Sequence, residues 1–149
     1  MYRYPLDTDL IVSPLMYNQV AYSGYGVHRE TGAIYSKQVG GEWRRREWSV
    51  GGNMMYPFCS ITGDDGHKKS ASWHKACCET LKPQPAPPGV TESEWSATPA
   101  SVRKLLHKIW QVNHIDHNHR NFHPDNLEWV TGTENVEKYQ QHRLRALAA

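Results

Sequence analysis

Three residues near the C-terminal end of the chain could do chemistry together: Asn113, His114 and Asn135. His114 is an imidazole, the side chain best suited to take a proton from water near neutral pH. Asn113 and Asn135 supply neutral amide oxygens, hard donors of the kind that hold a divalent cation. An imidazole beside two such amides suits an oxygen-held cation with a neighbouring base.

The elements that must position these residues are legible from pattern. Trp110-Gln111-Val112-Asn113 alternates apolar and polar, the period of a half-buried strand. The stretch that follows, rich in Asn, Asp and His with Pro124 near its end, resists regular structure and reads as a loop. Leu127-Glu128-Trp129-Val130 reads as a second strand. Thr131, with Glu134 three residues on, is a capping-box signature for a helix. A strand–loop–strand hairpin followed by a helix would carry Asn113, His114 and Asn135 at its junctions.

The spacing His114, Asn126, Asn135, within the wording Asn-His-Ile-Asp…Pro-Asp-Asn-Leu-Glu-Trp-Val…Glu-Asn, resembles the HNH, or ββα-metal, nuclease family. The resemblance implies that His114 activates water against a phosphodiester. It also implies that Asn113 and Asn135 are ligands of Mg2+ or Mn2+, and that Asn126 braces the loop and aims the histidine. That family commonly has Gly where His117 stands, so His117 is expected in a left-handed turn. Two neutral amide ligands should hold a cation weakly until phosphate oxygens complete its shell. The resemblance covers the last third of the chain.

At 149 residues the chain has room for one domain, or one with a small companion. No apolar run approaches the roughly 20 residues that cross a bilayer. Met1-Tyr2-Arg3-Tyr4-Pro5 lacks the apolar core of a secretion signal. The expected location is therefore cytoplasmic, the host cytoplasm if a phage encodes the protein. Net charge is only +2, so a basic surface must come from local clusters. Arg44-Arg45-Arg46, Lys68-Lys69 and the tail with Lys138, Arg143 and Arg145 are the obvious ones. Arg120 and His123 in the loop are further candidates to meet phosphate. Six Trp and eight Tyr against two Phe favour aromatics with a polar edge, useful in small cores and at binding surfaces alike. Cys59, Cys77 and Cys78 form no Cys-x-x-Cys pair. A structural zinc could be assembled from Cys59, His67, His74 and Cys77 or Cys78; packed thiols and surface imidazoles are the plainer reading.

Taken in order, residues 1–20 show no clear period and read as coil with a short helical turn. Tyr25–His28 and Ala33–Ser36 form a hairpin about a Glu30-Thr31-Gly32 turn. Trp43–Val50 and Met55–Thr62 read as strands about a Gly51-Gly52-Asn53 turn, and Ser70–Trp73 as a last strand before a helix over His74–Leu81. This part, residues 22–81, is loosely similar to the β-rich module that precedes the HNH core in phage-borne and intron-borne endonucleases. Pro83-Gln84-Pro85-Ala86-Pro87-Pro88-Gly89 is a stiff extended connector. Thr98-Pro99 opens a helix whose Val102, Leu105, Leu106 and Ile109 make one apolar face. In the C-terminal helix, Val136 and Tyr139 fit a face that packs on the hairpin.

The expected fold is α+β: a β-rich module over residues 1–82 for DNA recognition, a Pro-rich linker over 83–97, and a ββα-metal core over 98–149 with a buttressing helix. The expected partner is double-stranded DNA, bound by a monomer or a homodimer, with no membrane. The function expected is metal-dependent DNA cleavage, of a phage-type homing or mobile-element kind. The alternatives are a non-cleaving DNA-binding regulator on the same fold and a dimeric HNH restriction enzyme.

Overall fold

A computed structural model describes residues 11–51 and 54–148. Residues 1–10 and the Gly52-Asn53 part of the expected turn lie outside the described residues. The chain divides into two compact units. One comprises the described residues up to 83 with 114–127, the other residues 84–113 with 128–148. The loop between the hairpin strands is thus grouped with the N-terminal module, not with the segment that follows the Pro-rich connector.

In the first unit, strands β1 (Val12–Tyr17), β2 (Val20–His28), β3 (Ile34–Lys37) and β4 (Trp43–Arg45) form an antiparallel sheet in chain order. The segment expected as coil is therefore a strand hairpin from Val12 onward. Its turn is Asn18-Gln19, and both residues have positive φ (51° and 63°), the geometry a two-residue hairpin turn needs. Gln at such a position gives no turn signal in sequence. Pro14 read as a breaker, yet it sits on the edge strand beside a register shift, where a missing N–H costs no ladder bond. Leu15 and Tyr17 from this hairpin are core residues.

Strands β5 (Ser49–Gly51), β6 (Met54–Thr62) and β7 (Lys68–Ser72) form a second antiparallel sheet. The single strand expected over Trp43–Val50 is split, since β4 pairs with β3 while β5 pairs with β6. Arg46 stands at the break. Its backbone N–H donates to Ile34 O at 2.8 Å and its guanidinium to Ser60 O at 2.8 Å. Tyrosine hydroxyls tie the two sheets together as well: Thr62 N donates to Tyr25 Oη at 2.9 Å, and Ser72 N to Tyr17 Oη at 3.3 Å. Each ring buries its body and uses its polar end to satisfy a backbone N–H.

Helix α1 (Trp73–Leu81) packs on β1 and β6 and buries Trp73, Ala76, Cys77 and Cys78. Trp73 belongs to this helix and not to the strand before it. Its indole N–H donates to Gly32 O at 3.0 Å. Gly32 has φ +75°, and a Cβ there would lie 2.6 Å from Phe122 O and 2.9 Å from Cys77 Sγ. Gly32→Ala should therefore cost about 3 kcal/mol, combining backbone strain with a clash against backbone. Gly66 has φ +83° with nothing within 4 Å of a built Cβ, so Gly66→Ala should cost only about 1 kcal/mol. Urea midpoints of the two variants would measure the difference.

In the second unit, a helix not foreseen in sequence follows the connector: α2 (Glu92–Ala97), closed by a capping box between Thr91 and Glu94. Helix α3 (Ala100–Leu106) continues into a 3-10 turn, His107–Ile109. Val102, Leu105 and Ile109 are exposed, so the apolar face expected on this helix is not buried among the described residues. Strands β8 (Trp110–His114) and β9 (Leu127–Thr131) pair as a two-stranded sheet. Helix α4 (Gly132–Ala148) follows, with Glu134 N donating to Thr131 Oγ1 at 3.2 Å at its start. Val136 and Tyr139 are exposed, contrary to the packed face expected of them. No described helix is long and apolar enough to cross a membrane.

Candidate active site in a ββα hairpin

The loop from His114 to Leu127 is held by its own amides. Asn126, 9% exposed, is at the centre: Asp116 N donates to its Oδ1 at 3.0 Å, and its Nδ2 donates to Asp116 Oδ1 at 2.9 Å and Asn121 O at 2.8 Å. Ile115 N adds a bond to Asn126 O at 2.8 Å. Around this knot the chain turns by short side-chain-to-backbone bonds, from Asn118 N to Asp116 Oδ1 and from Arg120 N to Asn118 Oδ1. Such bonds are the local alternative that Asn and Asp offer to helix or sheet. His117 has φ 60°, the left-handed turn expected of it. Bonds from the Asn121 side chain and the Asn118 backbone hold the Asp116 carboxyl below the usual carboxylate range.

His114 is 4% exposed, and three polar rings stand beside it. Tyr56 of β6 stacks on it with centroids 5.7 Å apart and planes 14° apart. His74 of α1 stands 5.0 Å away and His119 of the loop 5.6 Å away. His114 Nε2 is buried with no hydrogen-bond partner among the described residues, and His74 Nδ1 likewise. Burial, with the neighbouring His119 adding in the same direction, lowers the His114 imidazole to about 4. Burial and the facing His114 and His119 lower His74 to about 3. Both rings are therefore neutral at pH 7, the form in which an imidazole can accept a proton.

In the second unit, Asn113 is buried and its Nδ2 donates to Glu128 Oε1 at 2.8 Å. Glu128 in turn pairs with Lys138 at 3.1 Å. Asn135, in the first turn of α4, donates through Nδ2 to Gln111 Oε1 at 2.9 Å. Gln111 and Asn113 are two apart on β8 and share one of its faces. Each amide is thus oriented through its nitrogen, which turns its oxygen to the opposite side. Amide oxygens are hard donors of the kind a divalent cation takes. No group of three or more His, Cys, Asp or Glu among the described residues is placed to hold a metal ion.

The set considered for zinc is accordingly not assembled. His67 is exposed and pairs with Asp65 at 3.1 Å. All three thiols are buried, and burial pushes Cys59 up to about 11 and Cys77 and Cys78 to about 12. Cys77 donates to Phe122 O at 3.4 Å, a packing role that anchors the loop to α1.

Among the basic candidates, Arg44, Arg45, Lys68 and Lys69 are exposed on β4 and β7. Arg46 is half-buried and engaged with Ser60, its guanidinium also over the Tyr25 ring at 5.8 Å. Arg120 is exposed and lies over the Trp48 ring at 5.8 Å. His123 accepts from Asp125 N at 3.2 Å and caps a short 3-10 turn, Pro124–Asn126. Tyr56 and His119 were not singled out as site residues, and His74 only as a possible zinc ligand, because only the tertiary fold brings Tyr56 and His74 to the loop.

A strand, an Asn-knotted loop, a second strand and a helix, with His114 at the end of the first strand, follow one another as a ββα segment. Residues 106–137 match the family model described as HNH endonuclease. Among solved structures, the chain is similar to the HNH homing endonuclease I-HmuI, whose structure is entitled for its DNA binding and cleavage. The TM-score is 0.53 at 21% identity, over 79% of this chain and 52% of that one. The chain thus spans about half the length of that relative, and the likeness extends well beyond the hairpin into the β-rich module. No curated protein matches the chain in sequence.

Proposed function

We propose that the chain is a metal-dependent DNA endonuclease of the phage-type homing or mobile-element kind, acting in the cytoplasm of its host cell. The observation that carries this reading is the HNH segment at 106–137 with a neutral imidazole, His114, at its strand end. His114 takes a proton from the attacking water. The water oxygen bonds to phosphorus as the bond from phosphorus to the 3′-oxygen breaks, leaving a 5′-phosphate and a 3′-hydroxyl. Asn126 keeps the loop, and hence His114, in one conformation. Asn113 and Asn135 would hold Mg2+ or Mn2+, which when bound would supply neutralising charge for the phosphate and for the departing 3′-oxygen.

Exposed Arg44, Arg45, Lys68 and Lys69, with Arg120 in the loop, supply cationic contacts to the DNA backbone and His123 a polar one, which position a duplex without reading its sequence. Supercoiled plasmid incubated with the chain and Mg2+ should be nicked or linearised. Chelation by EDTA should stop the reaction and added Mg2+ or Mn2+ should restore it. Binding of the plasmid without any cut under these conditions would instead favour a DNA-binding regulator.

A further inference from the structure

The HNH segment leaves one question of local mechanics open at His114. A ring on a single bond rotates in a broad, nearly two-fold well, and a hydrogen bond to the far nitrogen usually fixes it. His114 Nε2 has no such partner among the described residues. Rings surround it instead. Tyr56 lies parallel to His114, and the same phenol ring is 4.5 Å from His74 and 4.4 Å from His119. His74 stands tilted at 44° against His114. A parallel face fixes the plane of an imidazole, and a second ring set across it obstructs a flip.

We propose that Tyr56 and His74, both outside the HNH segment, are positioning residues that fix the orientation of the His114 ring by packing in place of a hydrogen bond. The inference rests on the reading of His114 as the base. It makes the β-rich module part of the machinery that aims the base, besides any part it has in holding DNA. His119 completes the ring cluster from the loop side, where its neighbours Asn118 and Arg120 donate their backbone N–H groups to Asp116 Oδ1 and Asn118 Oδ1.

The test uses the full chain, with cleavage kinetics and the His114 Cε1–H resonance of histidine-labelled protein, assigned by its loss in His114→Gln. Tyr56→Phe keeps the ring and should retain kcat within about twofold. Tyr56→Leu should lower kcat by about 10- to 100-fold, the scale of a misplaced catalytic group, with KM for DNA unchanged. The order parameter of the His114 Cε1–H bond, read from relaxation of that resonance, should fall in Tyr56→Leu and stay at the parental value in Tyr56→Phe. His74→Phe should retain most activity, whereas His74→Ala should lose about 10-fold in kcat. Parent-like kcat and an unchanged order parameter in Tyr56→Leu would overturn the proposal. So would a loss that appears as raised KM or as a lowered melting temperature shared by Tyr56→Phe. If the parent itself fails to cut DNA, the base assignment falls, while the order parameter still decides whether Tyr56 orients the ring.

Discussion

Asn126→Ala should be the most damaging single change in the loop. It removes three side-chain hydrogen bonds and leaves the Asp116 N–H and the Asn121 carbonyl without that partner in a part-buried site. Unsatisfied groups of this kind cost about 1–3 kcal/mol each, and they are coupled here, so a total near 3 kcal/mol is expected. Cleavage should fall by about 100-fold, because the loop's grip on His114 loosens by something near an ångström. Asn126→Asp is not conservative at this position. It sets a carboxylate where Nδ2 now donates to Asp116 Oδ1 at 2.9 Å, replacing an attraction with a repulsion between like charges. Both variants should lower the urea midpoint, and the Asp variant should be no better than the Ala variant at pH 7.

The second large effect is acid destabilisation. His74 has a folded-state value of about 3 against an ordinary 6.5, so the unfolded chain binds more protons once the pH drops below 6.5. Its contribution to stability is fully present above pH 6.5 and is lost as pH falls toward about 3. The loss is about 1.4 kcal/mol per pH unit for one such group. Between pH 6.5 and 4.5 that is roughly 3 kcal/mol, a large share of the stability of a small domain. His114, lowered to about 4, acts in the same direction. Urea unfolding at a series of pH values should show the slope, and His74→Phe should flatten it. A midpoint independent of pH between 6.5 and 4.5 would mean that the imidazoles are solvated in the native state.

These expectations also show how far sequence reasoning reached. The strand, loop and helix that carry His114, Asn126 and Asn135 were legible because they adjoin in the chain, so local pattern sets their order. The left-handed turn at His117 followed from the resemblance, since the family commonly has Gly there. Tyr56 and His74 were not, since they reach His114 only through the folding of β6 and α1 against the loop. The hairpin of β1 and β2 was hidden by an edge-strand proline and a Gln in a positive-φ turn. Arg46 reads as one of three like charges in sequence, and only the break between β4 and β5 gives it a different task from Arg44 and Arg45. The apolar stripes of α3 and α4 were correctly periodic, but periodicity says which residues share a face and not that the face is covered.

The most direct measurement is single-turnover cleavage of a DNA duplex by the full chain and by His114→Ala, at saturating protein with Mg2+ present. The account predicts that the variant folds and binds DNA like the parent but cleaves about 100- to 10,000-fold more slowly. Cleavage by His114→Ala at the parental rate would contradict it.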